Sequence, residues 1–214
     1  GYVQYNLGIA LIQSGNDVEG MQVLDRLGIM ETSDEDIRAL QDKANLKLAY
    51  RYLDRKDATN ALKYFERVRL DGPFSNRALL GAGWVSVAMG KHDRALVPWT
   101  ILHERAETNL SVQEALMAVP YAYSKLEAYG RSANLYDHAM DVFAREIDNL
   151  DSSIKSIRKG KFLVALLDEQ ARDDEHWVVN LRNREETPET RYLLELLASR
   201  DFQESYQNYK DLGE

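Results

Sequence analysis

The apolar positions of this 214-residue chain recur in pairs of helical segments. Ala61 and Phe65 stand four residues apart, and Ala95 and Trp99 repeat that pair 34 positions later. Apolar residues at this spacing share one face of an α-helix. The residues that precede the two pairs at equal offsets are Leu48, Ala49 and Tyr52 in one unit, and Ala82, Gly83 and Ser86 in the next. The pattern therefore predicts a helical repeat with a period of 34 residues.

These units resemble the tetratricopeptide repeat (TPR), whose pattern W-x2-L-G-x2-Y, then A-x3-F, then P extends over about 34 residues. Pro73 supplies the closing proline of the unit that contains Ala61. The resemblance covers residues 1–142 as about four hairpins. It implies an all-α fold, namely a right-handed α-α superhelix that forms a TPR-like solenoid of antiparallel helix hairpins. It also implies a non-catalytic protein-protein interaction scaffold.

The first unit differs from the others in its small residues and in the length of its connection. Gly8 and Gly20 occupy positions where two helices would approach closely. Seven additional residues separate this unit from the next, which predicts about two extra helical turns. We expect Thr32 or Ser33 to cap the next helix, because the acidic residues that follow favour a helix N-terminus. That helix is predicted to run through Tyr52.

The third and fourth units differ in regularity. Pro73 precedes the first helix of the third unit, and Gly90-Lys91 predicts the turn before its second helix. The fourth unit is degenerate. Pro120 falls within its first helical pattern, and since proline removes a backbone donor, a kink or a helix start is expected there. The residues that carry the fourth unit are Tyr123, Gly130, Tyr136 and Ala139.

Beyond residue 142 the 34-residue period is lost. Residues 143–188 are predicted to be an irregular amphipathic helical segment with a break at Lys159-Gly160-Lys161. Residues 189–214 return to a terminal TPR-like hairpin, with Pro188 at its start. We expect the array either to end at this hairpin or to continue past residue 214.

The net charge of −8 disfavours nucleic acid and anionic membranes as partners, because both require clustered cations. No apolar stretch is long enough for a membrane-spanning helix, so direct membrane insertion is not expected. The chain contains no cysteine, which suits an oxidising compartment. Segment 72–100 is also similar to bacterial envelope-associated TPR proteins. The expected location is therefore periplasmic or envelope-associated, with the cytoplasm as the alternative.

A stripe of apolar and aromatic residues follows the predicted first helix of each hairpin. In TPR superhelices these helices line the concave face, so the stripe predicts a groove that binds a peptide or helix of a partner protein. Tyr50 and Trp84 are the expected anchors. The predicted groove residues are Tyr5, Ile9, Ile12, Leu46, Tyr50, Leu53, Leu80, Trp84, Val87, Met117 and Tyr121.

Polar residues are expected at the rim of this groove. Many TPR proteins hold an acidic chaperone tail with Lys, Asn and Arg side chains on the first helices. This chain has Tyr5, Ile9 and Gly81 at those positions, so that activity is not expected. The remaining rim cations, which could hold an acidic group, are Lys43, Lys47 and Arg77.

Two alternatives stay open at this point. Residues 143–185 could fill the groove within the same chain, and the protein would then act through homo-oligomerisation. Alternatively, the acidic cluster that includes Asp173 and His176 could form an enzyme site, although runs of carboxylates are usually solvated helix faces. The four histidines show no metal-ligand spacing, and no nucleotide fingerprint is present. We therefore expect no catalytic residue, no metal and no cofactor.

Overall fold

A computed structural model describes residues 1–105 and 108–159 of the chain. All regular elements in these two ranges are α-helices. They are α1 (Tyr2–Gln13), α2 (Asp17–Gly28), α3 (Glu35–Asp54), α4 (Ala58–Phe65), α5 (Ser75–Ala88), α6 (His92–His103), α7 (Leu110–Lys125) and α8 (Tyr129–Arg158). The prediction of an all-α fold is confirmed for the described residues.

Helices that follow one another in sequence also pack against one another. Every consecutive pair from α1 to α7 is in contact. In addition, α1 contacts α3, α3 contacts α5, and α5 contacts α7. This order of contacts is compatible with a helical repeat, since each hairpin packs on the next and its first helix also touches the following first helix.

The extended helix of the second hairpin forms as predicted, but a different residue caps it. Helix α3 has 20 residues and includes Tyr52. Its cap is Asp34, whose carboxylate accepts hydrogen bonds from the backbone N–H groups of Asp36 and Ile37 at 2.9 and 3.2 Å. The expectation of Thr32 or Ser33 was wrong. The Thr32 hydroxyl instead accepts a bond from the Asp34 N–H, just before the helix begins.

Glycines allow helices to approach closely at two places, namely between α1 and α2 and around α5. A Cβ atom on Gly20 would lie 2.7 Å from the Gly8 carbonyl oxygen, which confirms the predicted approach of α1 and α2. On α5, a Cβ atom at Gly83 would lie 2.0 Å from Trp99 Nε1, and one at Gly81 would lie 2.4 Å from the Phe65 ring. Both aromatic rings therefore rest directly on the α5 backbone.

Two apolar clusters stabilise the hairpins. The first surrounds Leu24, Leu48 and Phe65, and the second surrounds Trp99 and Val112. These side chains are at most 2% exposed. Helix α5 contributes to both clusters, because Ala82 and Val85 belong to the first and Leu79 to the second. The burial of apolar surface at α5 thus joins consecutive hairpins.

Ion pairs join α3 to the preceding hairpin and to the connection between α4 and α5. The Asp17 carboxylate accepts from Arg51 at 2.6 Å and from Arg55 at 3.0 Å. The first of these bonds is the largest cause of the lowered pKa of Asp17. The buried Asp42 accepts from both the backbone and the guanidinium of Arg69, at 3.0 and 2.9 Å. The Asp17 bonds thus link the first hairpin to the second, and the Asp42 bonds hold the α4–α5 connection against α3.

In the fourth hairpin the structure excludes one of the two outcomes expected at Pro120, which were a kink and a helix start. Helix α7 starts at Leu110, where the Asn109 side chain accepts the Ser111 N–H, and Pro120 lies inside the helix. Pro120 is therefore not a helix start. Its carbonyl oxygen accepts a hydrogen bond from the Ser132 hydroxyl at 2.8 Å.

Helix α8 continues without interruption past residue 142 and ends at Arg158, next to the predicted break at residues 159–161. The chain divides into one compact unit of Gly1–Ala139 and a second of Met140–Glu214. Of the second unit, the described residues are 140–159. The predicted hairpin at 189–214 and the remainder of segment 143–188 lie outside the described residues.

Candidate functional site

The same aromatic contact occurs in two consecutive hairpins. Tyr50 of α3 meets the edge of Phe65, with 5.2 Å between the ring centroids and 90° between the ring planes. Trp84 of α5 meets Trp99 in the same way, at 4.9 Å and 70°. Tyr50 and Trp84 occupy equivalent repeat positions, as do Phe65 and Trp99. In each pair the ring on the first helix is exposed, whereas its contact partner is buried.

The predicted groove residues differ widely in exposure. Tyr50, Trp84 and Met117 expose 43%, 37% and 46% of their surface. Leu46 is only 6% exposed and lies in the first core cluster, so its side chain cannot form an open surface. The half-buried members that pack against the first cluster are Tyr5, Ile9, Ile12 and Leu53, and those that pack against the second are Leu80 and Val87. The exposed part of the stripe is thus narrower than the sequence suggested.

Trp84 is the centre of a small aromatic and charged group. Its indole Nε1 donates to Glu114 on α7 at 2.6 Å, and its ring lies 6.2 Å from that of Tyr121. The Tyr121 ring also lies 6.3 Å from His92, and Lys125 Nζ is 5.5 Å from its centroid. These contacts join α5, α6 and α7. Glu114 orients the Trp84 ring, a role that the sequence pattern did not indicate.

The three predicted rim cations are exposed. Lys43 lies 5.1 Å from the centroid of the Tyr5 ring, which is a cation–π distance. Lys43, Lys47 and Arg77 form no ion pair with an acidic side chain in the part of the chain that the structure describes. The chain as a whole is acidic, so these three cations are of the minority charge.

Charged residues on α5 and α7 influence the pKa of Tyr50. Partial burial is the main reason that the pKa of the Tyr50 hydroxyl is raised. Arg77 on α5 opposes this shift of the pKa, and Glu114 on α7 adds to it. The pKa of the Tyr50 hydroxyl thus depends on one charged residue from each of the next two hairpins.

The sequence pattern did not indicate a cavity beside α5. A cavity of about 400 Å³ lies between α4, α5 and α6. Helical spacing puts its α5 residues, among them Ala78, Ala82 and Ser86, on the opposite side of that helix from Trp84. No periodic signal distinguishes these residues from core residues. The cavity is lined mainly by aliphatic side chains, with Glu66 and Arg94 as its charged members.

The predictions about catalysis fall mostly outside the described residues, where Asp173 and His176 both lie. Among the described residues, no group of three or more His, Cys, Asp or Glu side chains is arranged to hold a metal ion. His103 and His138 stack with 5.6 Å between their rings. Within the same residues, no helix combines the length and apolar character that crossing a membrane requires.

Comparison with known proteins identifies no family. The sequence matches no protein-family model, and it matches no curated protein.

Proposed function

We propose that this chain is a non-catalytic scaffold of TPR type. Its groove, formed by the first helices α1, α3, α5 and α7, binds a peptide or helix of a partner protein. The observation that carries the proposal is the exposure of Tyr50 and Trp84 at equivalent positions of consecutive repeats. Large aromatic side chains held rigidly on a folded surface are typical anchors of protein interfaces. The direct contacts between successive first helices support a continuous surface.

The cations near Tyr50 favour an acidic partner. Lys43, Lys47 and Arg77 lie on α3 and α5, where they flank Tyr50 in sequence or influence it electrostatically. A peptide that combines apolar or aromatic residues with Asp or Glu could pack against the rings and form ion pairs with the cations. Binding of such a peptide should weaken as salt concentration rises.

The proposed biological role is assembly of a complex in the bacterial envelope. It rests on the absence of cysteine and on the likeness of segment 72–100 to envelope-associated TPR proteins. A scaffold that recruits a partner by an apolar groove needs neither a metal nor a cofactor, and none is proposed.

A selection from a random peptide library tests the binding activity. Peptides enriched on the wild-type protein are then titrated by fluorescence polarisation against Tyr50→Ala and Trp84→Ala. We expect each substitution to weaken binding by about tenfold or more, as for other aromatic anchors. Tyr129→Ala is the matched control, because Tyr129 is 66% exposed on α8 and is not part of the groove.

The selected sequences test the charge preference independently. Enrichment of Asp and Glu, together with weaker binding to Lys47→Glu, would support the acidic partner. Failure to enrich any peptide, or equal binding to all three aromatic variants, would refute the groove. Circular dichroism of each variant shows whether a loss of binding reflects a loss of helix.

A further inference from the structure

Helix α8 carries an exposed apolar face that the proposed groove does not include. Its members are Met140, Phe143, Ile147, Leu150, Ile154 and Ile157, which we call the α8 seam. Their spacing alternates between three and four residues, as in the a and d positions of a coiled coil. Phe143 is half-buried, and the other five expose between 40% and 68% of their surface. A contiguous exposed apolar face of this kind marks an interaction surface.

The neighbouring face of α8 is already covered. Val142, Glu146 and Ser153 are buried. Their spacing puts them on a stripe beside the seam, so α8 packs through one stripe and leaves an adjacent, more apolar stripe open. The residues buried on the packed side are partly polar, whereas all six residues of the seam are apolar. Contacts among the described residues therefore leave the apolar side chains of the seam exposed.

We propose that the α8 seam pairs with the same seam of a second copy of this chain, in antiparallel orientation. In that register Met140 faces Ile157, Phe143 faces Ile154, and Ile147 faces Leu150 of the other copy. Each pair occurs twice because a two-fold interface is self-complementary. All six apolar positions are then covered by apolar partners.

Charge complementarity selects the antiparallel arrangement. Asp137 and Arg158 are both exposed on α8 and occupy the same flanking heptad position. Antiparallel pairing brings Asp137 of each copy beside Arg158 of the other, which gives two ion pairs. A parallel pair instead leaves Asp137 and Arg158 without an opposite charge on the other copy. The sequence of α8 thus favours one orientation of the dimer.

Light scattering of the full chain after size exclusion, over a range of concentrations, tests the proposal. We expect a mass twice that of the monomer at high concentration. Ile147→Lys should weaken the dimer by about 100-fold, because it puts an unpaired charge against Leu150 of the other copy, at both of the central contacts. Ser152→Lys adds the same charge on the opposite, exposed side of α8 and should leave the dimer unchanged. A monomer at every concentration, or a dimer insensitive to Ile147→Lys, would overturn the proposal.

Charge reversal tests the orientation even if Ile147→Lys fails to fold. Asp137→Arg and Arg158→Asp should each weaken the dimer by about tenfold, since each creates two like-charge contacts. The double variant should restore wild-type association. Loss of the dimer without restoration in the double variant would contradict the antiparallel register. A monomeric wild type whose thermal stability falls with Ile147→Lys would show that residues 160–214 cover the seam within one chain.

Discussion

Trp84 lies edge-on against Trp99 with 4.9 Å between their ring centroids, and this contact repeats that of Tyr50 with Phe65 one hairpin earlier. The inner ring in each pair belongs to the core, and the outer ring remains partly exposed to solvent. The core thus supports each exposed ring through its buried partner, and we expect this to hold the ring in one orientation. Rigid aromatic anchors lose little conformational entropy when a partner binds.

The two tryptophans should differ sharply in their effect on stability. Trp99→Ala removes a side chain that is 0% exposed, and we expect it to lower the free energy of unfolding by about 3–5 kcal/mol. Trp84→Ala should lower the free energy of unfolding by clearly less, because 37% of Trp84 is exposed. Urea denaturation followed by circular dichroism measures both changes. Equal losses would indicate that Trp84 is part of the core instead of a binding surface.

Gly83 should not tolerate even one additional methyl group. A Cβ atom there would lie 2.0 Å from Trp99 Nε1, so Gly83→Ala must displace the ring that supports Trp84. We expect a loss of stability of about 1–3 kcal/mol. Gly130→Ala is the control, since a Cβ atom added at Gly130 would have no neighbour within 4 Å and alanine favours helix. The same denaturation experiment should find that variant at least as stable as the wild type.

The two carboxylates that bind Arg69 should contribute unequally. Asp42 is 2% exposed, and Asp42→Ala leaves the Arg69 guanidinium and backbone N–H without their buried partner. We expect a loss of about 3–5 kcal/mol in the free energy of unfolding. Glu35 binds the same guanidinium from an exposed position, so Glu35→Ala should cost less than about 1 kcal/mol. Similar losses in the two variants would contradict this distinction.

Alkaline pH should destabilise the fold through Tyr64. Burial, followed by the hydrogen bond that its hydroxyl donates to Asp25 at 2.9 Å, raises the pKa of Tyr64 well above its usual value. A group whose pKa is raised on folding stabilises the native state below its unfolded pKa, near 10 for tyrosine. This contribution is lost as the pH rises from about 10 through the higher folded pKa.

Thermal unfolding between pH 8 and pH 11 measures this effect. Phenylalanine at position 64 cannot ionise, so the melting temperature of Tyr64→Phe should fall less steeply above pH 10 than that of the wild type. Tyr2→Phe is a suitable control because Tyr2 is 59% exposed. Parallel curves for all three proteins would exclude Tyr64 as the source of the pH dependence.

Much of the helical architecture follows from local sequence signals. The recurrence of small and aromatic residues from Ala61 to Trp99 correctly indicates the helices on both sides of the Gly90 turn. The residues before α3 predict Thr32 or Ser33 as its cap, whereas Asp34 performs that role. Several adjacent residues can accept the same backbone hydrogen bonds, so the sequence alone does not choose among them.

The candidate surface depended more strongly on tertiary packing. Helical periodicity groups Leu46 with Tyr50, but only the packing of α3 against its neighbours determines that Leu46 is buried and Tyr50 exposed. The hydrogen bond from Trp84 to Glu114 joins residues 30 positions apart, and no local pattern indicates it. The sequence by itself determined the helices and their apolar faces, because both depend on interactions between near neighbours. Which apolar residues remain exposed was decided by the tertiary structure, since burial requires contact with other helices.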